Sequence, residues 1–177
     1  CAGLFLAFAL SAQLPAQQAA QPQPEKKQHS LSEKTGEALK GLSPLTAEKK
    51  FDEALKLIDG ALALAAPGSY DRAFLLDIKA KIYLGMDKLP PAIGPWEEAV
   101  NLHAEHHYFD EKYANDIRLY LAQLIFGEAV VLKDSAHQQQ QLARAAGFLK
   151  KHLDSVAKPS PATLMFYAQL LYQQAAA

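Results

Sequence analysis

Along the chain, apolar side chains recur at steps of three and four residues, the spacing that puts them on one face of a helix. Phe51, Ala54, Leu55, Ile58, Ala61, Leu62 and Leu64 form the clearest stripe, and Pro67-Gly68 stops it. Ser69 is placed to cap a second helix that runs to Gly85, with Phe74, Ile78 and Ile82 at every fourth position. Asp87-Lys88 then interrupts the pattern before Leu89, Ala92, Ile93, Trp96, Ala99, Val100 and Leu102. Pro90-Pro91 suits a first helical turn, where missing amide donors cost little. Gly94-Pro95 further in predicts a late helix start or a kink.

The stripe beginning at Leu89 copies the one beginning at Phe51. The offset is 38 residues at each matched position, Phe51 to Leu89 and Leu64 to Leu102 alike. Less regular helical spacing follows over 108–131 (Tyr113, Ile117, Tyr120, Leu121, Leu124, Ile125) and 136–156 (Leu142, Ala145, Ala146, Leu149, Leu153). After Lys158-Pro159-Ser160-Pro161, a further helix is predicted over 162–174. A helix over 31–42, ended by Ser43-Pro44, precedes the first clear copy. The reading is all-α, about seven helices as three hairpins and a terminal helix. A pattern that recurs with its internal spacing intact marks a stacked repeat, since one hairpin buries its apolar face only against a neighbour.

Phe51-Asp52-Glu53-Ala54-Leu55, Gly60-Ala61-Leu62-Ala63-Leu64 and Pro67 resemble the second helix and terminal proline of the tetratricopeptide repeat family. Ala54, Ala61, Ala92 and Ala99 match its helix-crossing alanines, and Ala80, Ile82, Tyr83 and Asp87 fit its first helix. Phe74 stands where the family favours tryptophan, and the 38-residue period exceeds the family's roughly 34, which implies a modified loop. The resemblance implies antiparallel hairpins stacked as a short right-handed α-solenoid, whose concave face, lined by the first helix of each hairpin, receives a peptide or a partner domain. Asp77, Lys81, Asn115 and Arg118 are the polar residues on those first helices. A polar residue on a helix with one buried face is expected to point to solvent or to a ligand.

Ahead of the repeats, Leu4-Phe5-Leu6-Ala7-Phe8-Ala9-Leu10 has the length of a signal-peptide apolar core, and Ser11, Ala12 and Ala16 supply the small residues of a cleavage region. That run is too short to span a bilayer, which takes about 20 residues. Residues 1–16 are therefore expected to be a signal peptide truncated at its start, 17–30 a Gln/Ala/Pro-rich tether, and 31–177 the repeat domain. The implied destination is outside the cytoplasm, periplasmic or envelope-associated, with no stable membrane span once the signal is removed. Cys1 is followed by an apolar run rather than the polar tether of a lipid-modified cysteine, and as the single cysteine it forms no internal disulfide.

The formal net charge of -1 supplies no field to draw in nucleic acid. No Gly-x-Ser-x-Gly turn or Gly-rich phosphate loop occurs, so the chain reads as neither an enzyme nor a cofactor carrier. The acidic pairs Asp52-Glu53 and Glu97-Glu98 fall early in predicted helices, where the macrodipole favours them. The most chemical-looking cluster is His103-Ala104-Glu105-His106-His107, where His103 and His107 share a helical face and offer two nitrogens to zinc. A third ligand would come from Asp110, Glu111 or another helix; the competing expectation is a solvated helix end. The expected function is thus a protein-binding scaffold or adaptor, with a metal-binding module or a regulatory piece of a larger protein as alternatives.

Overall fold

A computed structural model describes residues 29–176, and among them all regular structure is helical. The helices are α1 (Glu33–Ala38), α2 (Leu42–Ala47), α3 (Phe51–Leu64), α4 (Tyr70–Gly85), α5 (Pro90–His106), α6 (Glu111–Ala129), α7 (Ser135–Asp154) and α8 (Pro161–Ala176). The expected signal peptide, and the tether as far as residue 28, lie outside the described residues. His29, near the end of the expected tether, is docked: its ring stacks on Tyr70 at 5.4 Å and meets the edge of Tyr108 at 5.0 Å.

Most helix ends follow from their capping residues. Ser69 caps α4 by accepting from the Arg72 amide, Asp110 caps α6 through Lys112, and Asp134 caps α7 through His137. The segment 31–42 departs from expectation, because two short helices replace one. Ser32 caps α1, and Pro44 does not end a helix but lies in the first turn of α2, where its missing N–H costs nothing. Helix α5 starts at Pro90 and runs through Pro95, so the expected late start is absent.

The backbone repeats as the side chains do. Lys49 and Asp87, 38 residues apart in sequence, both adopt left-handed conformations, with φ of 57° each. After α2 the Lys50 amide donates to Leu45 O at 2.8 Å, and after α4 the Lys88 amide donates to Tyr83 O at 2.9 Å. The accompanying bonds, Lys49 N to Thr46 O and Asp87 N to Leu84 O, complete the same Schellman closure in both places. The turns α2–α3 and α4–α5 are therefore two copies of one structure, which makes α2 the first-helix counterpart of α4.

Glycine is the residue that a left-handed cap favours, and the Lys49 side chain is exposed. Lys49→Gly is therefore expected to stabilise the protein by about 0.5–1 kcal/mol, read as a thermal midpoint higher by a few degrees. Unchanged or lower stability would show that the turn carries no strain.

Packing runs in series. The broadest contacts are α4 on α5 and α6 on α7, the two complete hairpins; α3 on α4, α5 on α6 and α7 on α8 are thinner contacts between hairpins. Ala54, Ala61, Ala92 and Ala99 are all buried, as close helix crossings demand. Ile58, Leu75 and Ile82 belong to one apolar cluster, and Trp96, Leu121, Ile125, Leu149 and Leu170 to a second. The two clusters follow one another along the stack, and α4 contributes to both.

The first turn of the stack is tied down by a buried carboxylate. Asp71 accepts from Ser32 N at 3.0 Å, Ser32 Oγ at 2.5 Å and Thr35 Oγ1 at 2.7 Å. Burial opposes its charge, but these donors outweigh burial and hold the carboxyl below its ordinary range. The stabilisation is therefore present above the unfolded-state value, about 3.9 for aspartate, and is lost as pH falls through the lower folded-state value.

Candidate functional site

Of the four polar residues expected to face a partner, Asp77 does not. It is 4% exposed at the junction of α4, α5 and α6. Trp96 Nε1 donates to its Oδ1 at 2.9 Å and Tyr113 Oη to the same oxygen at 2.5 Å, while Lys81 Nζ lies 2.7 Å from Oδ2. Burial and then the Asp77 carboxylate push the Tyr113 phenol far above its ordinary value, so it stays a donor. The expectation fails because a face turned from one neighbouring helix is covered by the next hairpin in the stack. Lys81 remains half exposed, its ammonium 4.9 Å from the Tyr113 ring centroid.

Asn115 is also mostly buried, at 7% exposed, but it borders a cleft. Its Nδ2 donates to His152 O over a long 3.4 Å, and His152 Nδ1 donates back to Asn115 O at 3.0 Å, stitching α6 to α7. The amide oxygen Oδ1 has no hydrogen-bond partner among the described residues. The cleft, of about 650 Å³, lies where α6, the end of α7 and the start of α8 meet, and it is also bordered by Lys112, Asp116, Leu119 and Thr163. His152 gave no signal in the sequence, since a lone histidine in a lysine-rich helix end looks solvated.

Arg118 faces a different cavity, of about 380 Å³, bordered by α5, α6 and α7 and shared with His103, His107, Glu111 and Lys151. Asn115 and Arg118 therefore border different cavities, and neither cavity is lined by Asp77 or Lys81. His103 is not at a solvated helix end, being 1% exposed; His107 is exposed.

The left-handed His107, φ 58°, closes α5, and Tyr108 Oη anchors the reversed chain to Gly68 O at 2.6 Å. The Asp110 cap then starts α6 with Glu111 beneath the histidines. Glu111 Oε1 lies 3.3 Å from His103 Nε2 and 3.2 Å from His107 Nδ1. Partial burial opposes the Glu111 charge, but the histidine contacts and the Arg118 charge outweigh it and hold the carboxyl below its usual range.

These spacings suit a metal, because ligands about 2.0–2.1 Å from a tetrahedral zinc stand roughly 3.3 Å apart. The three donor atoms do lie within 4.8 Å of one another. Proton placement does not suit one. The Phe109 amide donates to His103 Nδ1 at 3.0 Å, so in the neutral ring the proton sits on Nε2, the atom turned toward Glu111. A metal needs the Nε2 lone pair, and metal-bound imidazoles donate from the other nitrogen rather than accept there. The His107–Glu111 hydrogen bond instead closes the α5–α6 turn, with the carboxylate 3.3 Å from His103 Nε2, a buried atom that makes no hydrogen bond among the described residues. Calorimetric titration with zinc is accordingly expected to show no binding in the micromolar range; a one-to-one isotherm abolished by His107→Ala would show that the Phe109 bond yields.

No protein-family model matches the chain, and no curated protein matches it. No helix among the described residues is long and apolar enough to cross a membrane.

Proposed function

We propose that the chain is a binding scaffold that holds another protein in the cleft where α6, α7 and α8 meet. The observation that carries this reading is Asn115 at the border of that cleft: its side-chain oxygen is buried and has no hydrogen-bond partner among the described residues, a cost of about 1–3 kcal/mol that a donor reaching it as a partner binds would offset. The serial packing supports it, because helices that touch mainly their neighbours leave faces open along the stack. The tetratricopeptide-like alanines and the 38-residue repeat agree with such a role, and the apolar segment near the N-terminus suggests that it is performed outside the cytoplasm.

A photo-crosslinking residue at Asp116, beside the cleft, is expected to trap one specific protein in cells, identified by mass spectrometry. The same residue at Lys56, on the exposed side of α3, is expected not to trap it. Asn115→Leu should abolish capture without unfolding the chain. Equal capture from both positions would contradict the cleft as the binding site.

A further inference from the structure

The cavity of about 380 Å³ bordered by α5, α6 and α7 holds a buried donor with nothing to donate to. His103 is 1% exposed, and its Nε2 makes no hydrogen bond among the described residues. The Phe109 amide donates to Nδ1 at 3.0 Å, so the neutral ring carries its proton on Nε2. A buried donor left unpaired costs about 1–3 kcal/mol, which an acceptor entering the cavity would recover.

The charges around the same space decide what that acceptor is. Arg118 acts on Glu111 through charge alone, and the Lys151 ammonium lies 5.8 Å from the Phe148 ring centroid; neither cation makes an ion pair among the described residues. Of the two carboxylates at the cavity, Asp154 is matched by Lys150 at 2.7 Å. With the histidines neutral, Arg118 and Lys151 therefore face Glu111 alone, an excess of one positive charge. Val100, Ala104 and Phe148 give the cavity an apolar wall.

We propose that this cavity binds a small monocarboxylic acid, which accepts from His103 Nε2 and lies between Arg118 and Lys151, with its apolar part against Val100 and Phe148. A single negative charge balances the excess, whereas a phosphate dianion overshoots it. The guanidinium of Arg118 matches a carboxylate with two parallel donors. Sites for small ligands pair a mostly apolar lining with a few placed polar groups in about 300–1,000 Å³, and this cavity falls at the lower end of that range. Glu111 shows that a carboxylate is tolerated there: its Oε1 stands 3.3 Å from Nε2. Its hydrogen bond, however, is to His107, and its side chain is 67% exposed, so an incoming carboxylate can take Nε2 while Glu111 keeps His107. The site is distinct from the cleft proposed for a protein partner, with which it shares Glu111 and Ser155.

Titration of phenylacetate into the isotope-labelled full chain, followed by the imidazole nitrogen signals, is expected to shift His103 Nε2 to saturation with a Kd in the millimolar range or tighter. Phenylacetamide, equal in shape but uncharged, should bind roughly tenfold more weakly or worse, the loss of one charge-assisted hydrogen bond. Arg118→Gln and Lys151→Gln should each weaken phenylacetate about threefold with an unchanged circular dichroism spectrum. Glu111→Gln, which removes the opposing charge, should tighten it by a similar factor. Inorganic phosphate and a short peptide ending in phenylalanine with a free carboxylate are both expected to bind more weakly than phenylacetate. The proposal is overturned by an absence of saturation, by acid and amide binding alike, or by indifference to residues 118 and 151. Tighter binding of phosphate would make the cavity a general anion site, and tighter binding of the peptide would assign it to a chain end; either result overturns the small acid as its ligand.

Discussion

Asp77→Ala is expected to cost about 3 kcal/mol, lowering the thermal midpoint by roughly 6–12 °C. The substitution removes the acceptor of the buried Trp96 indole N–H and of the part-buried Tyr113 hydroxyl. Each buried donor left unpaired costs about 1–3 kcal/mol. The Lys81 pair adds little, since that side chain is 51% exposed and water screens it. Asp77→Asn separates these contributions, because its carbonyl oxygen can replace Oδ1 for both donors. Thermal melts should therefore show Asn losing no more than about a third of what Ala loses. Equal losses would mean that the charge, not the pair of hydrogen bonds, ties α4 to α5 and α6.

The second large effect concerns the alanines at the helix crossings. Ala99 is fully buried in α5 and is the copy of Ala61 in α3. Leucine there must push two helix backbones apart in a close-packed interior, which costs about 1–3 kcal/mol and more where the backbone cannot shift. Ala99→Leu is thus expected to lie at the upper end, near 3 kcal/mol. Ala63→Leu, the same change at an exposed position of α3, should stay within about 0.5 kcal/mol of the parent. Chemical denaturation of the two variants checks the pair; similar values would show that the crossings are not close.

The features legible in the sequence were those set by one helix and its nearest neighbour. The spacing of Phe51 through Leu64 and its copy from Leu89 needs no knowledge of tertiary structure, and the two Schellman closures at Lys49 and Asp87 repeat with the same offset. Ser69 was readable as a cap because a cap is local. Asp77 and His103 were not readable, since periodicity locates the face of a helix toward its partner but not the third helix that covers the flank. The same limit hid His152, whose bond to the Asn115 carbonyl spans 37 positions. Pro44 misled because proline serves equally after a helix and in its first turn, and only the turn before α2 decides between them. The apolar sides of α8 are visible in the letters, but which of them faces inward required Leu170 to be seen buried.

The hairpins pack in series rather than closing into a bundle, and a distance across the stack measures that directly. Nitroxide labels at Lys56 in α3 and Gln169 in α8, both exposed, can be placed in a chain with Cys1 replaced by serine and diluted into unlabelled protein. With neighbouring helix axes about 8–10 Å apart, serial packing predicts a pulsed dipolar distance centred beyond roughly 25 Å. A narrow distribution near roughly 10–15 Å would place α3 against α8, as in a closed bundle, and would contradict both the open stack and the scaffold function built on it.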